Sequence, residues 1–483
     1  FIHAPEAHGL QVKGQTYQGG GGVINFHAFQ NANYKIVITF LFAAVTAVIA
    51  TYFVSGISDL AIVVGMVAVA ALMIATFCNI NIGLVAILLS MLLSPELELG
   101  STPGRAVVVR AEDLLLFIVS LAWLARMAIK KQPVLRRSPL NVPIGLFVAI
   151  LCFSTIRGMI TGTVTPLKGF FYVLKMVEYF VLYFMVLNHT TSARQVKLFL
   201  GVLLFTSIVV GIYGNTHLGE AGRLSAPFEG KGEPNTLGGY LLFILSIVGG
   251  LIFYYRKRRR ILVLIFLFLV PTFVFTVSRS SYLGMFPALA VFAALSKNKN
   301  VIKYAAALVL AFILAVAFGP PVLKNRVLGA FEPETQQELK RVGMISLGPS
   351  PAARLVSWKD IMTKKFARRP LLGSGVTGLA FLDSQYVLTI GETGIIGLSL
   401  FLWLMWRAWR AAGISYGTVE TPLFKGLVLG YMAGLAGLMF HAIGSNTFII
   451  IRIAEPFWFF TAIVVKLRDI ETGKAAMSER ISR

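Results

Sequence analysis

The chain has 483 residues, of which 57% are hydrophobic and only 13% charged, and its mean hydropathy is +0.77. A globular protein carries roughly 25% charged residues, so this composition excludes a soluble fold and points to an integral membrane protein. The formal net charge of +23 sits in clusters between apolar runs, which suits membrane loops and lipid anchoring rather than nucleic-acid binding.

The first segment, 1–35, has no apolar run preceded by positive charge and is expected to be a cytoplasmic tail, with Gly19–Gly22 as a flexible linker. A helix crosses the hydrocarbon core with about 20 apolar residues. Runs of that kind occur at 36–54, 60–78, 80–95, 112–129, 141–156, 171–187, 197–213, 236–254, 261–277, 282–296 and 303–319. After a long loop, 320–385, three more follow at 386–404, 425–443 and 447–466, and 467–483 is read as a cytoplasmic tail. The segment around 97–111 has the composition of a re-entrant stretch, so the expected fold is an all-α polytopic bundle of about 12–14 transmembrane helices.

Short loops rich in Lys and Arg face the cytoplasm. Lys130-Lys131 with Arg136-Arg137, then Arg256–Arg260, Lys297-Lys299-Lys303, Arg407-Arg410 and Lys466-Arg468 fall on one side under this span list. The segment Gly214–Asn235, the turn Ser278–Ser281 and the long loop then face outward. Within that loop, Ser350-Pro351 reads as an N-cap with proline at the first helical position. Leu355, Trp358, Met362 and Phe366 follow at helical spacing beside Arg354, Lys359, Lys364 and Lys365, which predicts an amphipathic helix on the leaflet or over a cavity.

Cys78 and Cys152, the two cysteines, lie in apolar runs and form no zinc spacing, and no Asp-x-Asp pair occurs. No metal site and no cofactor are expected. The chemistry instead gathers in outward-facing pieces: Arg223-Leu224-Ser225-Ala226-Pro227-Phe228 before Glu233-Pro234-Asn235; Ser278-Arg279-Ser280; Arg354 and Trp358 before Pro370-Leu371-Leu372-Gly373-Ser374-Gly375; and Asp383-Ser384-Gln385-Tyr386 before Glu392-Thr393-Gly394-Ile395-Ile396-Gly397. An arginine at membrane depth, such as Arg279, is costly unless it faces a polar cavity, so it marks a functional site. Planar guanidinium groups match phosphate oxygens in pairs, and Arg223, Arg279 and Arg354 on one face would hold a pyrophosphate. Asp383 is the acid placed to accept a proton near them. Each piece also has a structural reading: arginines that snorkel to headgroups, Asp383 as a helix cap, Glu392 as an ion-pair partner, Gly394 and Gly397 as packing residues, and His441 as a hydrogen-bonded packing residue.

In order and spacing, these motifs resemble the O-antigen ligase/polymerase superfamily over roughly residues 200–466, with Glu455-Pro456-Phe457-Trp458 fitting its last span. The resemblance implies a GT-C-like glycosyltransferase of the bacterial inner membrane whose active site faces the periplasm. Its partners would be an undecaprenyl-pyrophosphate-linked glycan donor, a glycan acceptor, membrane lipids and a chain-length regulator protein. By that likeness Arg223 and Arg279 serve as catalytic and pyrophosphate-binding residues. Arg354, Asn235 and Tyr386 complete substrate binding, Asp383 is catalytic, and Glu392 and Trp358 are structural. Family ligases carry a histidine nine residues before the glutamate of Glu-x-Gly-x-x-Gly. Here that position is Asp383, which favours a polymerase of lipid-linked repeat units over an O-antigen ligase. A transporter of a small anion is the reading from another class.

Overall fold

The computed structural model describes residues 59–94, 96–98, 108–218, 223–228, 232–296, 349–379 and 382–482, together with the single positions 310 and 324. The expected tail 1–35, the run 36–54, nearly all of 303–319 and most of 320–348 lie outside the described residues. The chain divides into two compact units, Phe1–Val64 and Gly65–Arg483. The second holds nearly everything described.

Helix α1 (Asp59–Cys78) and helix α2 (Ile80–Leu93) meet at Asn79, whose side chain accepts from the Asn81 amide at 3.1 Å and caps α2. Where a re-entrant stretch was expected, two three-residue strands, β1 (Glu96–Glu98) and β2 (Val108–Arg110), pair antiparallel. The remaining described architecture is helical: α3 (Ala111–Ile129), α4 (Asn141–Ile160), α5 (Pro166–His189), α6 (Ala193–Thr216), α7 (Pro234–Tyr254), α8 (Arg259–Phe275), α9 (Arg279–Leu295), α10 (Pro349–Asp360), α11 (Gln385–Thr418), α12 (Pro422–His441) and α13 (Ile451–Ser482). Six of these, α4, α5, α6, α7, α11 and α12, are long and apolar enough to cross a bilayer. The protein is an all-α, multi-pass membrane protein.

Helices α7 and α12 are the two most enclosed of the six. A Cβ on Gly250 would stand 2.3 Å from the Gly426 carbonyl, and one on Gly430 would stand 2.6 Å from the Ile247 Cα. Lipid tails are as apolar as leucine, so helices in a membrane gain more from close backbone contact than from apolar side chains alone. The Glu455-Pro456-Phe457-Trp458 stretch in α13 supplies the aromatic core: Phe457 stacks on Tyr431 at 5.7 Å, and Trp458 meets Phe180 edge-on at 5.0 Å.

Two features depart from simple helical periodicity. Helix α10 begins at Pro349, so Ser350 lies inside its first turn, and at its far end the chain widens into a π-helix over Ile361–Phe366. The wider turn rotates the side-chain register. As a result Ile361 packs against Leu379 and Leu382, while Met362, expected on the apolar stripe, is 38% exposed. The second departure is in α11, where Gly394 takes φ 71°, ψ −171° and breaks the helix in two.

Candidate functional site

Helix α9 starts where an arginine was singled out. Ser278 is its N-cap: Oγ accepts from the Ser281 amide at 3.4 Å and from Ser281 Oγ at 2.8 Å, and itself donates to Asn235 Oδ1 at 2.8 Å. Arg279 is therefore the first helical residue, beside the positive end of the helix dipole. Asn235 sits in the first turn of α7, fixed by Pro234 at the helix start. Its Oδ1 also accepts from Arg223 Nη2 at 3.3 Å. One amide oxygen thus ties the arginine of an irregular segment to the cap of α9. That segment is further pinned by the Leu224 amide, which donates to the Phe275 carbonyl at the end of α8 at 3.1 Å.

The third arginine reaches the same place from α10. Arg354 donates from Nη2 and Nε to Asp383 Oδ2, at 2.8 and 3.2 Å. A Cβ on Gly444 would lie 2.5 Å from Ser280 Oγ and 3.8 Å from Arg354 Nη1, which places that guanidinium beside the first turn of α9. Arg223, Arg279 and Arg354 therefore gather around residues 278–281.

Asp383 does not cap helix α11. Ser384 does, accepting from the Val387 amide at 3.5 Å, and Asp383 stands one residue earlier with 44% of its side chain exposed. Its position is set by the segment after α12. The Gln385 amide donates to the Ala442 carbonyl at 3.0 Å, Gln385 Oε1 accepts from the Phe448 amide at 3.0 Å, and Asn446 Nδ2 donates to the Leu382 carbonyl. Gln385, the first residue of α11, and Asn446 are buried positioning residues to which the sequence assigned no role, because a single amide side chain has no periodic signature.

The remaining predicted residues take structural positions. Tyr386 donates its hydroxyl to the Met439 carbonyl at 2.6 Å and joins α11 to α12. Trp358 is half-buried in α10. His441 is fully buried, with Nδ1 2.7 Å from Thr447 Oγ1, which is the packing role anticipated for it.

No protein-family model matches this chain, and no curated protein matches it.

The break at Gly394 explains the two glycine-rich motifs together. Unwinding a membrane helix frees backbone groups that must find partners. The 370–375 turn supplies them: the Ser374 amide donates to the Gly391 carbonyl at 2.9 Å, Gly375 to Glu392 at 2.8 Å, and in return the Ile395 amide donates to the Pro370 carbonyl at 2.9 Å. Helix α4 closes this clasp from the other side. Ser154 Oγ lies 2.7 Å from the Glu392 carbonyl and 2.5 Å from the Leu372 carbonyl, and Arg157 Nη2 donates to the Gly373 carbonyl at 3.2 Å. The Glu392 side chain accepts from the Thr377 amide at 2.9 Å. Glu392 belongs to the clasp, and Gly394 is a conformational requirement rather than only a packing residue. Among the described residues no group of three His, Cys, Asp or Glu side chains is disposed to hold a metal ion.

Proposed function

We propose that this protein is a GT-C-like membrane glycosyltransferase that polymerises undecaprenyl-pyrophosphate-linked oligosaccharide repeat units at the periplasmic face of the bacterial inner membrane. The observation that carries the reading is the gathering of Arg223, Arg279 and Arg354 around the start of α9, with Asp383 held against Arg354 at 2.8 Å. Guanidinium groups beside a helix N-terminus favour a phosphate anion twice over, by charge and by directed N–H donors. The motif order adds the resemblance to the O-antigen ligase/polymerase superfamily.

In the proposed reaction an acceptor sugar hydroxyl attacks the anomeric carbon of the donor glycan. The new bond joins the acceptor oxygen to that carbon, the bond from carbon to phosphate oxygen breaks, and its electron pair leaves with the lipid pyrophosphate. Arg223 and Arg279 stabilise the charge that grows on the leaving group, the largest single contribution in chemistry of this kind. Asp383 takes the hydroxyl proton and passes it to water through its exposed edge. Arg354 holds the carboxylate in place, and helix α10 covers the donor.

The decisive experiment supplies purified protein with lipid-linked repeat units alone, in the presence of a chelator. A ladder of longer lipid-linked glycans is expected. Transfer of one glycan to a lipid A core without a ladder would identify a ligase, and absence of any glycosyl transfer would remove the enzyme reading.

A further inference from the structure

A second group of charged side chains lies outside the arginine site and takes no part in the reaction proposed above. Glu455, in the second turn of α13, is 1% exposed, and Glu112, in the first turn of α3, is equally buried. Glu455 lies within electrostatic range of Glu112, Asp113, Glu178 and Lys175, and Glu178 within range of Asp113 and Lys175. Lys175 Nζ stands 3.4 Å from Asp113 Oδ2, their side chains 26% and 16% exposed. Arg452, fully buried one turn before Glu455, donates to the Ser94 carbonyl and to the Pro227 carbonyl, both at 3.2 Å. Ser94 Oγ in turn donates to Glu112 Oε2 at 2.7 Å.

This group reads as a site because it crowds acidic side chains around one enclosed carboxyl group. Among the described residues, Glu112 and Asp113 on α3 and Glu178 on α5 lie within electrostatic range of Glu455 on α13, and Lys175 is a basic group in the same range. Ionising all of these acids together in a low-dielectric interior is costly, a cost that proteins relieve by taking up a proton or a cation. A second observation identifies where: Glu455 Oε2 is fully enclosed and has no hydrogen-bond partner among the described residues. A carboxylate oxygen buried without a donor is strongly disfavoured, whereas the neutral carboxylic acid carries no charge to desolvate there. No three of these side chains are disposed to chelate a metal ion among the described residues.

We propose that the pocket between α2, α3, α5 and α13 is a proton-binding site, with Glu455 carrying the proton and the partly exposed Asp113–Lys175 edge as its route to water. Occupation is a plain transfer: a water-borne proton forms an O–H bond on the Glu455 carboxylate, and the pocket loses one negative charge. Arg452 couples the site to the segment that holds Arg223, because its guanidinium bonds to Pro227 in that segment.

The test uses the full chain in lipid nanodiscs and infrared difference spectroscopy. At neutral pH the wild type should show a protonated-carboxyl stretching band, shifted on exchange into heavy water. Glu455→Gln should lose roughly one carboxyl equivalent of it, and Glu455→Asp should move the band without removing it. The melting temperature should fall as the medium is made alkaline, and fall less in Glu455→Gln, which cannot ionise. An unchanged band in both variants would overturn the proposal. So would a band that appears only when sodium is replaced by choline, since that outcome would mark a cation site. Should Glu455→Gln fail to accumulate, the Glu455→Asp band decides alone: a shift supports the assignment and an unmoved band removes it.

Discussion

Arg354 and Asp383 come from two sides of the long loop and meet through a forked contact, Nη2 and Nε on one carboxylate oxygen at 2.8 and 3.2 Å. Both side chains are open to solvent, 25% and 44% exposed, so the pair contributes little to stability, about 0–1 kcal/mol. A contact with so little structural value that nonetheless fixes the direction of a carboxylate is one whose loss should be read in turnover. Asp383→Asn is expected to lower polymer formation by about 100-fold or more, within the range for a lost general base. Its melting temperature should stay close to that of the wild type. Full activity of the asparagine variant in a ladder assay would reduce Asp383 to a structural residue.

Arg279 offers a sharper comparison. Lysine keeps the positive charge at the start of α9 but lacks the planar pair of donors. Arg279→Lys should therefore lose activity by about 100- to 1,000-fold, the scale of one missing transition-state donor, while membrane content of the protein is unchanged. Near-normal polymer length in this variant would mean that Arg279 acts as a diffuse charge or a lipid anchor.

The arginines, Asp383 and the glycine motifs were legible in the sequence because each is a costly residue for a membrane chain and stands beside apolar runs. Three things were not. The pairing of Gly373-Ser374-Gly375 with the 391–395 backbone depends on an unwound helix, which α11 hides because its flanks are apolar and periodic. The π-helix at 361–366 shifts the stripe by one position, and no residue type signals that shift. The carboxylate pocket is assembled from distant segments. Its link from Arg452 to Ser94 joins residues 358 positions apart, and one or two acids at the edge of an apolar run look incidental.

The clasp at the break in α11 can be tested through its glycine. At Gly394 an added Cβ would stand 2.2 Å from both the carbonyl carbon and the oxygen of Leu371, and φ is 71°. The positive φ alone costs about 1–3 kcal/mol for another residue, and the overlap adds to it. Gly394→Ala should thus fail to accumulate or melt well below the wild type, whereas Gly417→Ala, where a Cβ meets nothing within 4 Å, should be neutral or slightly stabilising through helix propensity. Equal behaviour of the two variants in a thermal unfolding assay would contradict the break.

The last prediction concerns which side of the membrane holds the site. Positive-inside reasoning puts Arg256–Arg260 in the cytoplasm and the loop bearing α10 on the far side. Lys364 is 70% exposed in that loop, and Arg258 is exposed between α7 and α8, so a cysteine at either position would be open to a reagent. Cys78 is itself exposed, and both native cysteines must first be replaced by serine. In intact spheroplasts a membrane-impermeant thiol reagent should then label Lys364→Cys and spare Arg258→Cys, with both labelled once the membrane is permeabilised. The reverse pattern would turn the bundle over. Arg354 and Asp383 would then face the cytoplasm, where a donor presented at the periplasmic face could not reach them.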